Sequence, residues 1–185
     1  MRVADNLIIS VEDYFKSEEV SEVKHEFYYG KLFEMPGAPI LHNNLCLRFF
    51  LLFFTKLQKA GFQVNIENVK VKIENEEIYL YPDVIVTKEK LETMNDYFVQ
   101  QPVLLAEVLS DSTRKYDSTD KFIQYQKIVS LRYYLLVEPE KQVVIFYEKD
   151  DKGEWSAKTF TELSEVLSFP VLETEISLGD IYSLG

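Results

Sequence analysis

Three stretches decide the fold: YPDVIV at 81–86, LLAEVLS at 104–110 and STRKYDSTDKFIQYQK at 112–127. The first two are rich in Val, Ile and Leu on both faces, which predicts central strands of a sheet that is covered on both sides. Each of them nevertheless carries one carboxylate, Asp83 in the first and Glu107 in the second. A carboxylate in such a strand is costly unless a cation, hydrogen-bond donors or a raised pKa compensates it. Two of them on successive predicted strands therefore indicate a site.

The two carboxylates suit a hard divalent cation. Mg²⁺ or Mn²⁺ is held by one or two carboxylates and fills its other positions with water and phosphate oxygens. We expect Asp83 and Glu107 to be the metal ligands, with the carbonyl of Val108 as a third oxygen ligand. The alternative is that Asp83 opens a turn after Pro82 and that Glu107 pairs with an arginine.

A family resemblance starts from the same residues. Pro82-Asp83 followed by Glu107-Val108-Leu109 resembles the PD…(D/E)xK motif of the restriction-endonuclease-like nucleases. The longer string YPDVIV…EVLSDSTRKYD…K…Y resembles a bacterial branch of that superfamily whose uncharacterised members are described as restriction endonucleases. HEFYYGKLFEMPGAPILHNNL at 25–45 and LETEISLGDIY at 172–182 extend the likeness over nearly the whole chain. The resemblance implies one α/β domain over 1–185, a mixed central sheet flanked by helices with an N-terminal β-hairpin.

One position departs from the motif, because Leu109 stands where the motif has its lysine. Lys121 is the expected replacement. Asp117, Lys121 and Tyr125 are spaced four apart, so they share one face of a helix. The resemblance also places a lysine at this point. The alternative is an exposed Asp117–Lys121 pair, which would stabilise the helix by only a few tenths of a kcal/mol.

Further candidates come from the resemblance. Glu26 matches a glutamate that serves as an outer metal ligand in many members of the superfamily, or it is a surface glutamate at a strand start. His42 begins the long helix, where it contacts phosphate or serves as a helix-terminal polar group. The residues expected near substrate are Arg114, Lys115, His42 and Tyr125. The densest basic group follows Glu107 and suits phosphate guidance, unless it is a solvated charge run; it comprises Arg114, Lys115, Lys121, Lys127 and Arg132.

Composition limits the function classes. The chain has 185 residues, enough for a sizeable core, and a net charge of −11, which argues against sequence-independent coating of nucleic acid. One cysteine and two histidines make a zinc site unexpected and a cytoplasmic location the plain interpretation. The start of the chain shows no apolar stretch of signal-peptide length. The longest apolar run, Phe49–Phe54, is shorter than the ~20 residues of a membrane helix.

Local patterns predict the remaining elements. Four phenylalanines and two leucines in Phe49–Phe54 exceed what one core-facing stripe can hide, which predicts a homodimer.

In the first half of the chain the other predicted elements are a helix from Ser10 through Lys16 with a charged connector over 17–24, a hairpin in Glu26–Met35 around Tyr29-Gly30, and a helix over Ile40–Ala60 ended by Gly61. Strands follow at Phe62–Ile66 and in an antiparallel meander Val69–Val86, and then a helical turn in Glu89–Asn95. In the second half they are a helix capped by Ser118 or Thr119 and reaching Val129, strands Arg132–Glu138, Gln142–Glu148 and Glu154–Phe160, and a short element at Leu178–Tyr182.

These observations predict a Mg²⁺-dependent endonuclease that hydrolyses DNA phosphodiester bonds. The first alternative is an inactive nuclease fold that serves as a binding or interaction module, which Leu109 and the acidic balance favour. The second is a two-carboxylate hydrolase acting on sugars. It lacks an aromatic platform near Asp83 and Glu107 in sequence, although distant aromatic residues could supply one.

Overall fold

A computed structural model describes residues 8–73, 77–89, 97–111 and 113–183. The chain forms a mixed α/β fold in which helices flank mixed sheets, as the sequence predicts. The helices are α1 (Val11–Val20), α2 (Ile40–Leu57), α3 (Arg114–Tyr116), α4 (Phe122–Tyr125) and α5 (Leu178–Tyr182). A 3₁₀ turn (Gln58–Ala60) extends α2, a second (Pro170–Leu172) lies near the C-terminus, and a π-helical turn (Asp117–Lys121) joins α3 to α4.

The strands form three sheets. The strands are β1 (His25–Tyr28), β2 (Lys31–Glu34), β3 (Gln63–Ile66), β4 (Lys70–Lys72), β5 (Ile78–Leu80), β6 (Val84–Thr87), β7 (Phe98–Val99), β8 (Pro102–Val108), β9 (Tyr133–Glu138), β10 (Val143–Lys149), β11 (Trp155–Phe160), β12 (Val166–Phe169) and β13 (Thr174–Ser177). The central sheet has the order β11-β10-β9-β8-β6-β3, with β8 and β9 parallel and the other pairs antiparallel. A second sheet has the order β2-β1-β5-β4-β7, and β12 and β13 form a hairpin.

Strands β6 and β8 are adjacent inner strands of the central sheet, and each contributes side chains to two cores. Alternate side chains of a strand point to opposite faces. Val84 and Ala106 pack with α2 in one core, whereas Ile85 and Leu105 pack on the other face with Tyr125. This confirms that both strands are covered on both sides. Glu107 shares the face of Leu105, so its carboxylate points into the second core.

Helix α2 covers the first core. Its buried side chains include Leu45, Phe49 and Phe53, and it ends where Gly61 takes a left-handed φ of 80°. By length and mean hydropathy (1.2) the segment Ile40–Ala60 is a possible membrane span, which the sequence argument missed because it counted only the uninterrupted apolar run. This is weak evidence for a span, since the core helix of a soluble protein has the same length and hydropathy.

The N-terminal hairpin β1–β2 turns at Tyr29 and Gly30, both at positive φ, as the sequence predicts. A side chain at Gly30 would meet Ile8 Cγ2 at 2.5 Å. Ser10 caps α1 by accepting a hydrogen bond from the Asp13 amide. The helix continues to Val20, so the charged connector predicted over 17–24 is wrong for its first half.

The helix after Glu107 differs from the prediction. It begins at Arg114 and not at Ser118 or Thr119, and its last α-helical residue is Tyr125, short of Val129. Ser118 Oγ donates to the Arg114 carbonyl at 2.7 Å and Thr119 Oγ1 donates to the Lys115 carbonyl at 2.5 Å. Both hydroxyls thus bond back within the helix, as Ser and Thr do at interior positions, and neither caps it.

The strand order corrects a second prediction. The meander Val69–Val86 is antiparallel only through β4 and β5, because β6 leaves that sheet and pairs with β3 and β8. Asp83 therefore lies where the chain passes from one sheet to the other. The sequence did not predict β7, β12 or β13. Of the turn expected in Glu89–Asn95, residues 90–95 lie outside the described residues.

Candidate active site

Asp83 and Glu107 are neighbours on adjacent strands. Val84 of β6 pairs with Ala106 of β8, so one step further along this antiparallel register Asp83 lies across from Glu107. Asp83 Oδ2 accepts a hydrogen bond from the Val108 amide at 2.7 Å, which fixes the carboxylate against β8. Both carboxylates line one cleft of about 420 Å³. The two residues that the sequence singled out are therefore brought together.

Lys121 lies at the base of this cleft, 3% exposed, and meets three carboxylates. Its Nζ is 3.2 Å from Glu107 Oε1, 3.1 Å from Glu26 Oε1 and 3.2 Å from Asp117 Oδ1. Nζ also donates to the Tyr81 carbonyl at 3.2 Å. The Lys121 ammonium, expected in place of the motif lysine, therefore lies beside Glu107. It comes from the helix that follows β8.

The π-helical turn and α4 aim one face of the helix at Glu107. Asp117, Lys121 and Tyr125 all lie on this face, as their spacing predicts. The Tyr125 hydroxyl donates to Glu107 Oε1 at 2.9 Å, and the Tyr134 hydroxyl donates to the Asp117 carbonyl at 2.7 Å. The sheet therefore holds the helix through hydrogen bonds at two points that are eight residues, or about two turns, apart.

Burial and charge oppose each other at this site. Burial raises the pKa of Glu107 well above its usual range, and Lys121 only partly opposes that effect. Burial raises the pKa of Glu26 in the same way, again against Lys121. Burial alone would lower the pKa of Lys121, but Glu107, Glu26 and Asp117 raise it well above the usual value. The lysine therefore keeps its charge, while Glu107 and Glu26 hold protons more tightly than an ordinary glutamate does.

His42 approaches the site from α2. Its Nε2 lies 3.1 Å from Asp83 Oδ2, and its Nδ1 lies 3.6 Å from Cys46 Sγ. Burial lowers the pKa of His42, but the hydrogen bond with Asp83 and its charge outweigh burial, so the pKa is raised. His42 also lines the cleft, so its position is compatible with the expected phosphate contact.

The remaining predicted residues are not all at the cleft. Arg114 forms an ion pair with Glu138 and lines a separate cavity of about 150 Å³ that also touches His42. Lys115 is exposed. Tyr125 is fully buried beneath Glu107, so the prediction that it contacts substrate is wrong. Glu26 is fully buried as well, which excludes the surface-glutamate interpretation.

The basic group does not form one patch. Arg132 bonds to the Lys149 carbonyl and Asp151 at the start of β9, whereas Arg114 pairs with Glu138 at its end. Lys121 is buried. Proximity in sequence misled here, because a strand of six residues separates the two arginines in space.

Sequence reasoning missed Tyr81 as a structural centre of the site. Its amide donates to Glu26 Oε1 at 2.9 Å, its carbonyl accepts from Lys121, and its hydroxyl donates to Glu18 Oε2 at 3.0 Å. Two of these contacts use main-chain atoms, which residue type does not reveal. Its place directly before Pro82-Asp83 was the one available signal.

The comparisons with known proteins agree with this fold. A family model, Uma2, described as putative restriction endonuclease, matches residues 11–179. The chain belongs to the Uma2 family. Membership supports a nuclease function and agrees with the resemblance found in the sequence.

Two curated relatives and one solved structure resemble this Uma2 chain. The uncharacterized protein slr1290 of Synechocystis sp. is 33% identical over 147 residues, which cover 80% of this chain and 77% of the relative. The uncharacterized protein sll1609 of the same organism is 31% identical over 157 residues, covering 84% and 89%. A crystal structure of a putative nuclease belonging to DUF820, from Anabaena variabilis, matches with a TM-score of 0.77 at 16% identity. That match covers 95% of this chain and 98% of the other. At such identity the likeness shows the fold alone.

Proposed function

We propose that this Uma2 protein is a Mg²⁺-dependent endonuclease that hydrolyses DNA phosphodiester bonds, with Mn²⁺ as a substitute ion. One observation carries the proposal: an excess of buried carboxylates gathers around one lysine at the base of a cleft. Glu26, Glu107 and Asp117 meet Lys121, so full ionisation leaves two negative charges in excess. Asp83 adds a further carboxylate at the mouth, beside His42.

The residues present fit a divalent cation. Buried carboxylates in excess either hold protons, as the raised pKa values of Glu107 and Glu26 indicate, or gain a cation. Asp83 and Glu107 would hold the ion, with the Val108 carbonyl as a further oxygen ligand. When bound, Mg²⁺ neutralises charge on the phosphate and lowers the pKa of a coordinated water. Glu26 would act on the ion indirectly, because its Oε1 contacts Lys121 and the Tyr81 amide.

Lys121 takes the role of the motif lysine, whose position in this chain is occupied by Leu109. Leu109 is 4% exposed and packs in the second core, so nothing at that position can meet phosphate. The Lys121 ammonium is held by three carboxylates and a carbonyl, which keeps it charged and fixed. A fixed cation beside the reacting phosphate stabilises the charge that develops there, or holds the attacking water.

The substrate and partners extend the proposal. DNA would enter over the cleft, with His42 and Lys115 near the phosphates and Arg114 at the adjacent cavity. A second copy of the chain is the proposed partner, seated on the side chains of α2 that remain exposed, Leu47, Leu51 and Phe54. Light scattering that gives a monomeric mass at high micromolar concentration would contradict the dimer. We place the protein in the cytoplasm, on its single cysteine.

The proposal is tested by metal binding and cleavage measured together. Mg²⁺ is expected to raise the melting temperature by binding the folded state, and the protein is expected to cut DNA only with the ion present. Asp83→Asn should lose both effects. Asp120→Asn is the matched control, because Asp120 is exposed in the same π-helical turn as Lys121. An unchanged metal-induced shift in Asp83→Asn would contradict the site. Metal binding without cleavage of duplex, nicked or single-stranded DNA would favour the inactive binding module.

A further inference from the structure

The fold brings a thiol, an imidazole and a carboxylate together beside the proposed magnesium site. His42 and Cys46 are four residues apart on α2, so they share one face of the helix. Asp83 approaches that face from the start of β6. One ligand atom from each of the three residues lies within 4.8 Å of the other two. The count of one cysteine and two histidines made a zinc site unexpected, but the count could not show that these three residues meet.

We propose that His42, Cys46 and Asp83 bind a borderline-soft divalent ion such as Zn²⁺ or Co²⁺. Zinc takes N, S and O ligands at about 2.0–2.3 Å in a tetrahedron, which puts neighbouring ligand atoms roughly 3.3–3.7 Å apart. His42 Nε2 lies 3.1 Å from Asp83 Oδ2 and His42 Nδ1 lies 3.6 Å from Cys46 Sγ, so the two neighbours face different ring nitrogens. The ion would use one of these nitrogens, and one ligand atom of each residue lies within 4.8 Å of the other two. Closing the set on one ion would therefore draw these atoms together by up to about 1 Å.

The ligand chemistry separates this site from the magnesium site. A thiolate selects zinc-like ions, whereas carboxylate, carbonyl and water ligands select Mg²⁺. Cys46 is fully buried and does not line the cleft, but His42 and Asp83 do, so an ion reaches the thiol from the cleft. Binding converts the Cys46 thiol to a thiolate and releases its proton to solvent. A fourth ligand, water, would come from the cleft, which His42 and Asp83 line.

Asp83 belongs to both sites, so the two ions compete. This part of the inference rests on the proposed function: Zn²⁺ at His42, Cys46 and Asp83 is expected to inhibit Mg²⁺-dependent cleavage. Inhibition should be relieved by a chelator selective for zinc. Raising Mg²⁺ should relieve it as well, since both ions require the Asp83 carboxylate.

Cobalt spectroscopy tests the site without any cleavage assay. Co²⁺ bound by a thiolate shows a charge-transfer absorption in the near ultraviolet. Because Cys46 is the single cysteine of the sequence, such a band can come only from it. We expect a saturable band at one equivalent of Co²⁺, removed by Zn²⁺ and not by equimolar Mg²⁺. Cys46→Ser should lose the band and retain the Mg²⁺-induced rise in melting temperature.

The outcomes distinguish this inference from the proposed function. Absence of the band in the wild-type protein at millimolar Co²⁺ overturns the site, whatever the protein does to DNA. A cobalt spectrum without the thiolate band also overturns it, since that ion would lie on carboxylates alone. A band in a protein that never cleaves DNA supports the site and counts against the proposed function. The wild-type spectrum shows whether Cys46 binds the ion even if Cys46→Ser fails to fold.

Discussion

Two of the buried lysines, Lys121 and Lys149, lie in different surroundings. Lys121 is 3% exposed and Lys149 is 8% exposed. Lys149 Nζ donates to the carbonyls of Ile128 and Val129 at 2.9 and 3.0 Å and lies 5.5 Å from the centre of the Trp155 ring. Lys121 instead meets the carboxylates of Glu26, Glu107 and Asp117.

The difference separates a lysine that supports structure from one that takes part in a site. The carbonyls of Ile128 and Val129, which follow a helix, accept from the Lys149 ammonium and themselves add no net charge. Three carboxylates around Lys121 do more than satisfy it, because full ionisation of all three would leave the region negative. A fold needs no such excess for its stability, since replacing buried charges with apolar groups is often neutral or stabilising. The excess is the physical reason to expect a second cation.

The largest expected effect comes from replacing each lysine with methionine. Lys121→Met leaves three buried carboxylates without their cation, so we expect a stability loss of about 3–5 kcal/mol and cleavage reduced on the order of 100-fold or more. Lys149→Met leaves two carbonyls unpaired, at a cost of about 1–3 kcal/mol, with unchanged cleavage per folded molecule. Urea unfolding measures the stability of each variant, and single-turnover cleavage measures its activity. Equal losses of activity in both variants would show that Lys121 takes no greater part in cleavage than Lys149.

A smaller effect of opposite sign is expected for Glu107→Gln. Burial raises the pKa of Glu107 in the folded state above its unfolded value. Its contribution to stability is therefore fully present below the unfolded pKa and is lost as pH rises through the folded pKa. The amide removes that loss and can still accept from Tyr125. We expect the variant to be more stable than wild type by on the order of 1 kcal/mol at pH 8, with the gap closing toward pH 4.

Urea unfolding at several pH values without metal measures this difference, and Mg²⁺ should no longer raise the melting temperature of Glu107→Gln. If Glu107→Gln is less stable than wild type at every pH, the ion pair of the Glu107 carboxylate with Lys121 stabilises the fold by more than burial of that carboxylate destabilises it. The same series on Asp120→Asn, at an exposed position of the same turn, gives the baseline.

The smallest effect is expected at Tyr81. Tyr81→Phe removes the hydrogen bond to Glu18 Oε2 and leaves both main-chain contacts of the site in place. We expect about 1 kcal/mol of destabilisation and a few-fold lower kcat with unchanged KM, because the main chain that positions Lys121 becomes less restrained. Tyr182→Phe is the control, since its hydroxyl bonds to the carbonyls of Glu138 and Val143, which are not among the groups that meet Lys121. A kcat that falls equally in both variants would assign the loss to general stability.

The sequence was most informative where the structure follows a local pattern. The apolar runs around Asp83 and Glu107 predicted covered strands, and the four-residue spacing of Asp117, Lys121 and Tyr125 predicted a shared face. The structure shows both. These features depend on periodicity, which a few neighbouring residues define.

The parts that escaped prediction depend on groups distant in sequence or on the main chain. The transfer of β6 to the central sheet is set by its pairing with β3 and β8. The Cys46–His42–Asp83 group joins Asp83 to two residues of α2 that lie 37 and 41 positions before it. Arg114 and Arg132, close in sequence, lie at opposite ends of β9 because a side chain's position follows the sheet and not the count of residues.

The π-helical turn Asp117–Lys121 also determines how the side chains stack. In a regular α-helix, a side chain four residues further on has turned about 40° more than one full turn around the axis. In the wider π turn, the same step of four residues falls short of a full turn. One step of each kind, from Asp117 to Lys121 and from Lys121 to Tyr125, brings the side chains back into line. The turn thus acts as a phase correction. Deleting Ser118, Thr119 or Asp120 from it would turn Tyr125 away from Glu107 while the chain kept every residue of the site.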